Sequence, residues 1–267
     1  MALIKISFTG SVATGTKINI AAAQTLKRVT LELGGKSPSL VFADCNMDVT
    51  IQQCLQGFIT LSGQICAAST RIYVEESIAP HFIKALQAAA EDSLKVFGHP
   101  TDLNTFIGPI VDPHQYKRVS SYIEQGKKEA KLVTGGEPIG DKGCYFKPTI
   151  FLDSIPNARI EKEEIFGPVV LVNTFKTEEE AIHRANDTEY ALSAAVFTQD
   201  VNRAMRVAKK LQAGTVQVNC TIKIESQVPF GGFKKSGLGR ENGKYAIRHY
   251  TEPKTIFIKC AALSGRI

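Results

Sequence analysis

The sequence has no CxxC pair and no cysteine–histidine cluster at zinc-ligand spacing. Its six cysteines (Cys45, Cys54, Cys66, Cys144, Cys220 and Cys260) stand far apart in 267 residues. That excludes a zinc-finger or zinc-ribbon reading, and no metal site is expected. The density is also too low for a disulfide framework, so a reducing compartment, the cytoplasm, is expected. No apolar run is long enough to span a bilayer, and no membrane partner is expected. The opening MALIKISFTGS brings charge and polarity too early for the apolar core of a secretion signal. The sequons at Asn186-Asp187-Thr188 and Asn219-Cys220-Thr221 therefore carry no expectation of glycosylation. Despite a formal net charge of +6, basic residues occur as scattered pairs such as Lys127-Lys128 and Lys234-Lys235. No basic stripe interleaves with aromatics, so no nucleic-acid partner is expected. None of the five histidines is assigned a role, and there is no internal repeat or low-complexity tract.

What is present is an ordinary globular composition, 43% hydrophobic and 22% charged, with enough apolar material for a core. Strand and helix patterns alternate. Strands are expected at 4–8, 28–33, 39–43, 71–74, 132–134, 146–152, 169–175, 192–197, 215–219 and, last, Lys254 to Lys259. Helices are expected at 13–23, 49–61, 78–96, 114–130, 178–185 and 201–211, with a short one after the glycine-rich PFGGFKKSGLGRENG. Strands separated by helices argue for an α/β fold with a largely parallel sheet.

Several residues could carry chemistry. Cys66, in SGQICAAS, follows a helix end among small residues. Backbone amides freed at such a break lower a thiol pKa and stabilise an oxyanion; the alternative is a small buried hydrophobe. Glu32, in LELGGKSP, is a lone carboxylate between leucines at a strand end, a setting that raises its pKa toward that of a general base. The alternative is a strand-edge glutamate facing water or pairing with Lys36. Phe8-Thr9-Gly10-Ser11 joins a strand to a helix start, which is either a phosphate seat or an ordinary turn. Glu163-Glu164-Ile165-Phe166-Gly167-Pro168 sets acids beside an aromatic, and a solvated acid pair is equally open. Phe230 either lines a cavity or packs.

Together FTGS, LELGGKSP, GQICAAS, EEIFGPVV and PFGGFKKSGLGRENG, in this order and from about Ile4 to the terminal strand, resemble the NAD(P)-dependent aldehyde dehydrogenase superfamily. The resemblance implies the catalytic domain of that fold (residues 35–235) after a remnant of its dinucleotide-binding domain (1–34), with a C-terminal helix and oligomerisation strand (236–267). It implies Cys66 as the nucleophile that forms a thiohemiacetal, its amide as half of an oxyanion hole, and Glu32 as the general base. Glu241 becomes a second carboxylate in a proton path. Thr9, Gly10 and Ser11 fall beside the cofactor, NAD or NADP. Glu164 falls on the nicotinamide ribose, Phe166 packs there, and Phe230 lines the substrate tunnel. The expected partners are a small carbonyl substrate and a second copy of the chain in a homodimer or other oligomer.

Two positions depart from the family pattern: Leu61 stands where asparagine is usual, and Gln217 where an aromatic is common. Family members are longer, and the match begins late in the cofactor domain, as in an N-terminally truncated member. Three readings follow: a dehydrogenase-like thiol enzyme; a cofactor-independent isomerase, cyclase or esterase in the same pocket; and a non-catalytic remnant.

Overall fold

The computed structural model describes residues 4–259. The chain opens with β1 (Lys5–Thr9), α1 (Val12–Ala23) and β2 (Arg28–Glu32). It continues through β3 (Ser37–Val41), α2 (Met47–Ile59), β4 (Ser69–Glu75), α3 (Ala79–Asp92), α4 (Pro113–Glu129), β5 (Lys131–Thr134), β6 (Thr149–Leu152), α5 (Arg159–Lys162) and β7 (Val169–Phe175). The last part holds α6 (Glu178–Asn186), β8 (Tyr190–Ala191), β9 (Ser193–Phe197), α7 (Val201–Lys210), β10 (Thr215–Val218), β11 (Phe233–Lys234), β12 (Gly237–Leu238) and α8 (Gly243–Ile247).

The architecture is α/β. A seven-stranded sheet runs β10-β9-β3-β4-β7-β6-β5, parallel throughout except for the β5–β6 edge pair. Its central strands are buried on both sides, as in SPSLV of β3 and SAAVF of β9, because helices cover both faces. Alternation along β4 shows the division. Ile72 and Val74 join the core that includes Phe58 of α2 and Phe82 of α3, while Tyr73 points to the opposite core beside Ala181 of α6 and Val207 of α7. Side-chain caps start the helices where the sequence supplies them: Asn46 accepts from the Val49 N–H, Asp112 from Gln115 and Thr177 from Glu180.

A separate three-stranded sheet, β1-β2-β12, is parallel between β1 and β2 and antiparallel between β2 and β12. Strand β12 lies in the glycine-rich segment, which carries no strand pattern, and it pairs Gly237 with Glu32 and Leu238 with Leu31.

Four expectations are corrected. The helix expected to reach Leu61 stops at Ile59, because Leu61 and Ser62 take left-handed backbone angles (φ 51° and 56°). The helix expected to reach Val96 ends at Asp92 and tightens into a 3₁₀ turn. The strand expected from Phe146 begins at Thr149, since Pro148 has no N–H to give a ladder. Lys254 to Lys259 forms no strand, for it has no hydrogen-bonded neighbour strand among the described residues. The segment before it is anchored. The Arg28 guanidinium donates to the carbonyls of Arg248 and Thr251 at 2.9 Å and pairs with Glu252. Cys260 lies outside the described residues.

Candidate active site

The ends of β1 and β2 and three loops converge on one cleft of about 430 Å³. The β1–α1 turn brings Thr9, Gly10 and Ser11, and the end of β2 brings Glu32. The segment between α2 and β4 brings Cys66, with Leu61, Gln64 and Ile65. The loop after α5 brings Glu164 and Phe166. Ligand crevices in α/β folds commonly lie beyond the carboxyl ends of parallel strands, as Thr9 and Glu32 do here.

Glycines let these segments approach. A Cβ on Gly35 would meet the carbonyl oxygen of Cys66, and one on Gly34 would meet the Glu164 carboxylate. A Cβ on Gly231 would meet Oε1 of Glu32. The Gly35 N–H donates to Oε1 of Glu164 at 3.0 Å, fixing that side chain in the cleft. Ser236, fully buried, fastens the glycine-rich segment: its hydroxyl donates to the Gly34 carbonyl at 2.8 Å and accepts from the Ala191 N–H at 2.9 Å. Its own carbonyl accepts from Leu33 at 2.9 Å. We predict that Gly35→Ala displaces the Cys66 loop. Modification of Cys66 by iodoacetamide should change rate at least severalfold while the circular dichroism spectrum is kept; an unaltered rate would show that the loop absorbs the methyl group.

The electrostatics are those of charges in an apolar cleft. Glu32 is only 6% exposed, and neither carboxylate oxygen has a hydrogen-bond partner among the described residues. Burial first, and the negative charge of Glu241 second, push it up to about 8, while Arg240 pulls the other way. Lys36 is no partner for it. The Lys36 side chain is 2% exposed with no partner at Nζ, and burial, then repulsion from Arg71, brings it down to about 7. Glu32 as a water-facing or Lys36-paired strand-edge residue is therefore overturned. The Cys66 thiol is pushed up by burial, then by Glu164 and Glu32, against the amides of Ala67 and Cys66, which lower it. The expected lowering is thus present but outweighed. Glu164 is itself raised by burial, against the Gly35 N–H and Arg118.

Glu241 sits on the strand-like bridge to Phe230, with each residue's N–H donating to the other's carbonyl at 2.8 Å. Phe230 does not line the Cys66 cleft. It walls a neighbouring cavity of about 290 Å³ with Val216, Val218, Ile224, Val228 and Pro229. The bridge to Glu241 aims the chain so that Gly231, not Phe230, abuts Glu32. Sequence reasoning missed Arg118, which lines the cleft from α4 and donates from Nη2 to the Glu164 carbonyl at 2.9 Å. Nothing in the helix pattern separates it from neighbouring solvated lysines. It also missed Gln115, whose amide donates to the Ile165 and Phe166 carbonyls at 3.2 and 2.9 Å. Those bonds hold Phe166 at a left-handed φ of 59°. Among the described residues, no group of three or more His, Cys, Asp or Glu is placed to hold a metal ion.

The family model "Aldehyde dehydrogenase family" matches residues 2–256. The chain belongs to the aldehyde dehydrogenase family. It is 47% identical over 257 residues to retinal dehydrogenase 2 of Mus musculus, covering 96% of this chain and 49% of that protein. It is 48% identical over 261 residues to aldehyde dehydrogenase 1A1 of Oryctolagus cuniculus, covering 97% of this chain and 52% of that one. Among solved structures, an NAD+ complex of an aldehyde dehydrogenase from Bacillus cereus superposes with a TM-score of 0.94 at 42% identity, over 97% of this chain and 52% of that chain. The chain thus spans about half the length of the aldehyde dehydrogenases it matches.

Proposed function

We propose that this chain is the thiol half of an aldehyde-oxidising enzyme. Cys66 adds to the carbonyl of a small aldehyde, and Glu32 activates water against the thioester that follows oxidation. The observation that carries this reading is the shared cleft, in which, among the described residues, the charged groups lining it beside Cys66 are Glu32, Glu164 and Arg118. As the sulfur–carbon bond forms, the carbonyl oxygen becomes an alkoxide, which the Cys66 amide stabilises in this reading. Loss of hydride to a bound nicotinamide would turn this adduct into a thioester; Glu32 then takes a proton from water, the new carbon–oxygen bond forms, and the carbon–sulfur bond breaks to release the carboxylic acid and the Cys66 thiolate.

The residues fit the nicotinamide end of NAD or NADP. Leu33, Ile65 and Phe166 give the cleft an apolar wall, and Glu164 gives a carboxylate suited to ribose hydroxyls. Ser11 at the N-terminus of α1 suits a phosphate. When bound, the cofactor supplies the hydride acceptor. The apolar cavity beside Phe230 is the place for the tail of the aldehyde. A homo-oligomer is part of the same proposal, because Ile256, Phe257 and Ile258 are 73%, 94% and 80% exposed in a segment without a partner here.

The test is acetylation by p-nitrophenyl acetate, read by peptide mass spectrometry, together with calorimetric titration of NAD and NADP. One acetyl group on Cys66, absent from Cys66→Ala, is expected. Equal acetylation of Cys66→Ala elsewhere in the chain, with none at Cys66, would overturn the nucleophile. No binding at millimolar cofactor would remove hydride transfer and leave nicotinamide-free hydrolysis, for which Cys66 and Glu32 suffice.

A further inference from the structure

The cavity beside Phe230 lies between β10 and the segment 223–230. The far end of that segment is held by the bridge between Phe230 and Glu241. Its near end is held from β10 by Gln217. This side chain is buried, 8% exposed, and its amide oxygen accepts from the Lys223 N–H at 2.7 Å. The Cys220 thiol donates to the same oxygen at 4.0 Å. The amide nitrogen donates to the Ser193 hydroxyl on β9 at 3.3 Å, which fixes the direction in which the oxygen faces. The turn it holds is strained. Ile222 takes a left-handed φ of 54°, a conformation that a β-branched residue disfavours and that persists only where neighbours enforce it. Two pins flank it. Before it, the Thr221 N–H and hydroxyl donate to the Gln53 side chain and carbonyl of α2 at 2.9 and 2.8 Å. After it stands the bond from Lys223 to Gln217. The next residue, Ile224, is a wall of the cavity. An aromatic ring, common at this position in the family, has no oxygen to offer the Lys223 N–H.

We infer that Gln217 is a specificity-determining positioning residue: its amide oxygen holds the strained turn that sets Ile224 as a wall against an apolar aldehyde tail. This rests on the reading of the cavity beside Phe230 as the seat of that tail. Gln217 touches no reacting atom. It acts through the Lys223 N–H, so its oxygen matters and its bulk does not. Ile224 is 45% exposed and Val228 is 55% exposed, side by side on the cavity, so apolar surface there stands ready to be covered by a chain of carbons. With the bond to Gln217 lost, Ile222 relaxes toward a right-handed or extended angle, and the chain after it, Ile224 first, leaves the wall.

The test uses the whole chain and the variants Gln217→Met, Gln217→Glu, and Gln217→Met combined with Ile222→Asn. Acylation of Cys66 by p-nitrophenyl acetate and by p-nitrophenyl hexanoate is timed, each relative to its rate with free cysteine, and hydrogen exchange is followed at the Lys223 amide. The acetyl group carries a single methyl and reports on the cleft, whereas the hexanoyl chain reports on the cavity. Gln217→Met keeps the length of the side chain and removes the acceptor. It should speed exchange at Lys223 and lower the hexanoyl-to-acetyl ratio about tenfold, the low end of what one apolar group contributes in a pocket. Gln217→Glu keeps an oxygen at the same reach and should restore both. Ile222→Asn in the Gln217→Met chain should restore the ratio, because asparagine accepts left-handed angles, while exchange at Lys223 stays fast. A merely structural part for Gln217 would slow both esters together and leave the ratio where it was. An unchanged ratio in Gln217→Met therefore overturns the inference. A parent chain that shows no preference for hexanoate removes the reading of the cavity as the tail's seat, and the inference with it, even where slow exchange at Lys223 shows that Gln217 holds the turn.

Discussion

Glu32→Gln is expected to leave Cys66 able to take up an acyl group while slowing its release about a hundredfold to ten-thousandfold, the range for loss of a general base. Glutamine keeps the shape of the side chain that packs against Gly231, so the change isolates the charge. The pH dependence gives the sign. Only the carboxylate form of Glu32 can take a proton, and burial holds the carboxyl protonated up to about 8. Deacylation of the parent chain should therefore rise with pH through about 8 and level off above it, and Glu32→Gln should lose that limb. The same substitution acts on Cys66 in the opposite sense. Glu164 and Glu32 both raise the thiol, after burial, so removing the Glu32 charge should speed alkylation of Cys66 at a fixed pH above about 8, where the carboxyl is ionised. Faster alkylation with slower deacylation in one variant is a signature that simple damage to the site cannot produce. An undiminished deacylation rate would remove Glu32 from the mechanism.

Much of the fold was legible in the sequence, because hydrophobic period and capping residues act locally. Strand β7 spans 169–175 as its apolar run predicts, and α4, α6 and α7 begin at Asp112, Thr177 and Asp200 caps that local chemistry specifies. What was not legible depends on partners distant in the chain. Strand β12 exists because Gly237 can come close to β2; a side chain there would collide with the Leu31 carbonyl. The helix end at Ile59 is set by a loop conformation that leucine disfavours, and no local residue announces it. At the site, a carboxylate between two leucines correctly suggested a raised pKa. The state of Cys66 could not be read in the same way. Its flanking small residues do supply amides, but burial in the folded cleft outweighs them, and the two carboxylates that add to it stand 98 positions after it (Glu164) and 34 positions before it (Glu32) in the numbering. Arg118 and Ser236 reached the site for the same reason, by tertiary placement.

The largest expected loss of stability is at Arg71, which no motif singles out. Its side chain is fully buried at the centre of the parallel sheet on β4. The guanidinium donates to the Lys36 carbonyl at 2.9 Å, the Tyr73 hydroxyl at 3.1 Å, the Arg184 carbonyl at 3.2 Å and the Ala185 carbonyl at 2.9 Å. Two of these carbonyls belong to the end of α6, and a third belongs to the loop between Glu32 and β3. One side chain thus ties the helix layer to the sheet and to the strand exit that carries Glu32. Arg71→Met keeps the length and the apolar stem but takes the guanidinium donor from the Lys36 and Ala185 carbonyls and the Tyr73 hydroxyl, while the Arg184 carbonyl keeps the Tyr73 hydroxyl as a donor. Breaking a buried charged network in this way costs about 3–5 kcal/mol, a large share of the stability of a domain. Arg71→Lys should rescue little, because one ammonium cannot reach acceptors arranged around a planar fork. Urea unfolding of the three proteins checks this. A midpoint for Arg71→Met within about 0.5 kcal/mol of the parent, the range of a neutral surface change, would show that water replaces the guanidinium and that the network does not hold the layers together.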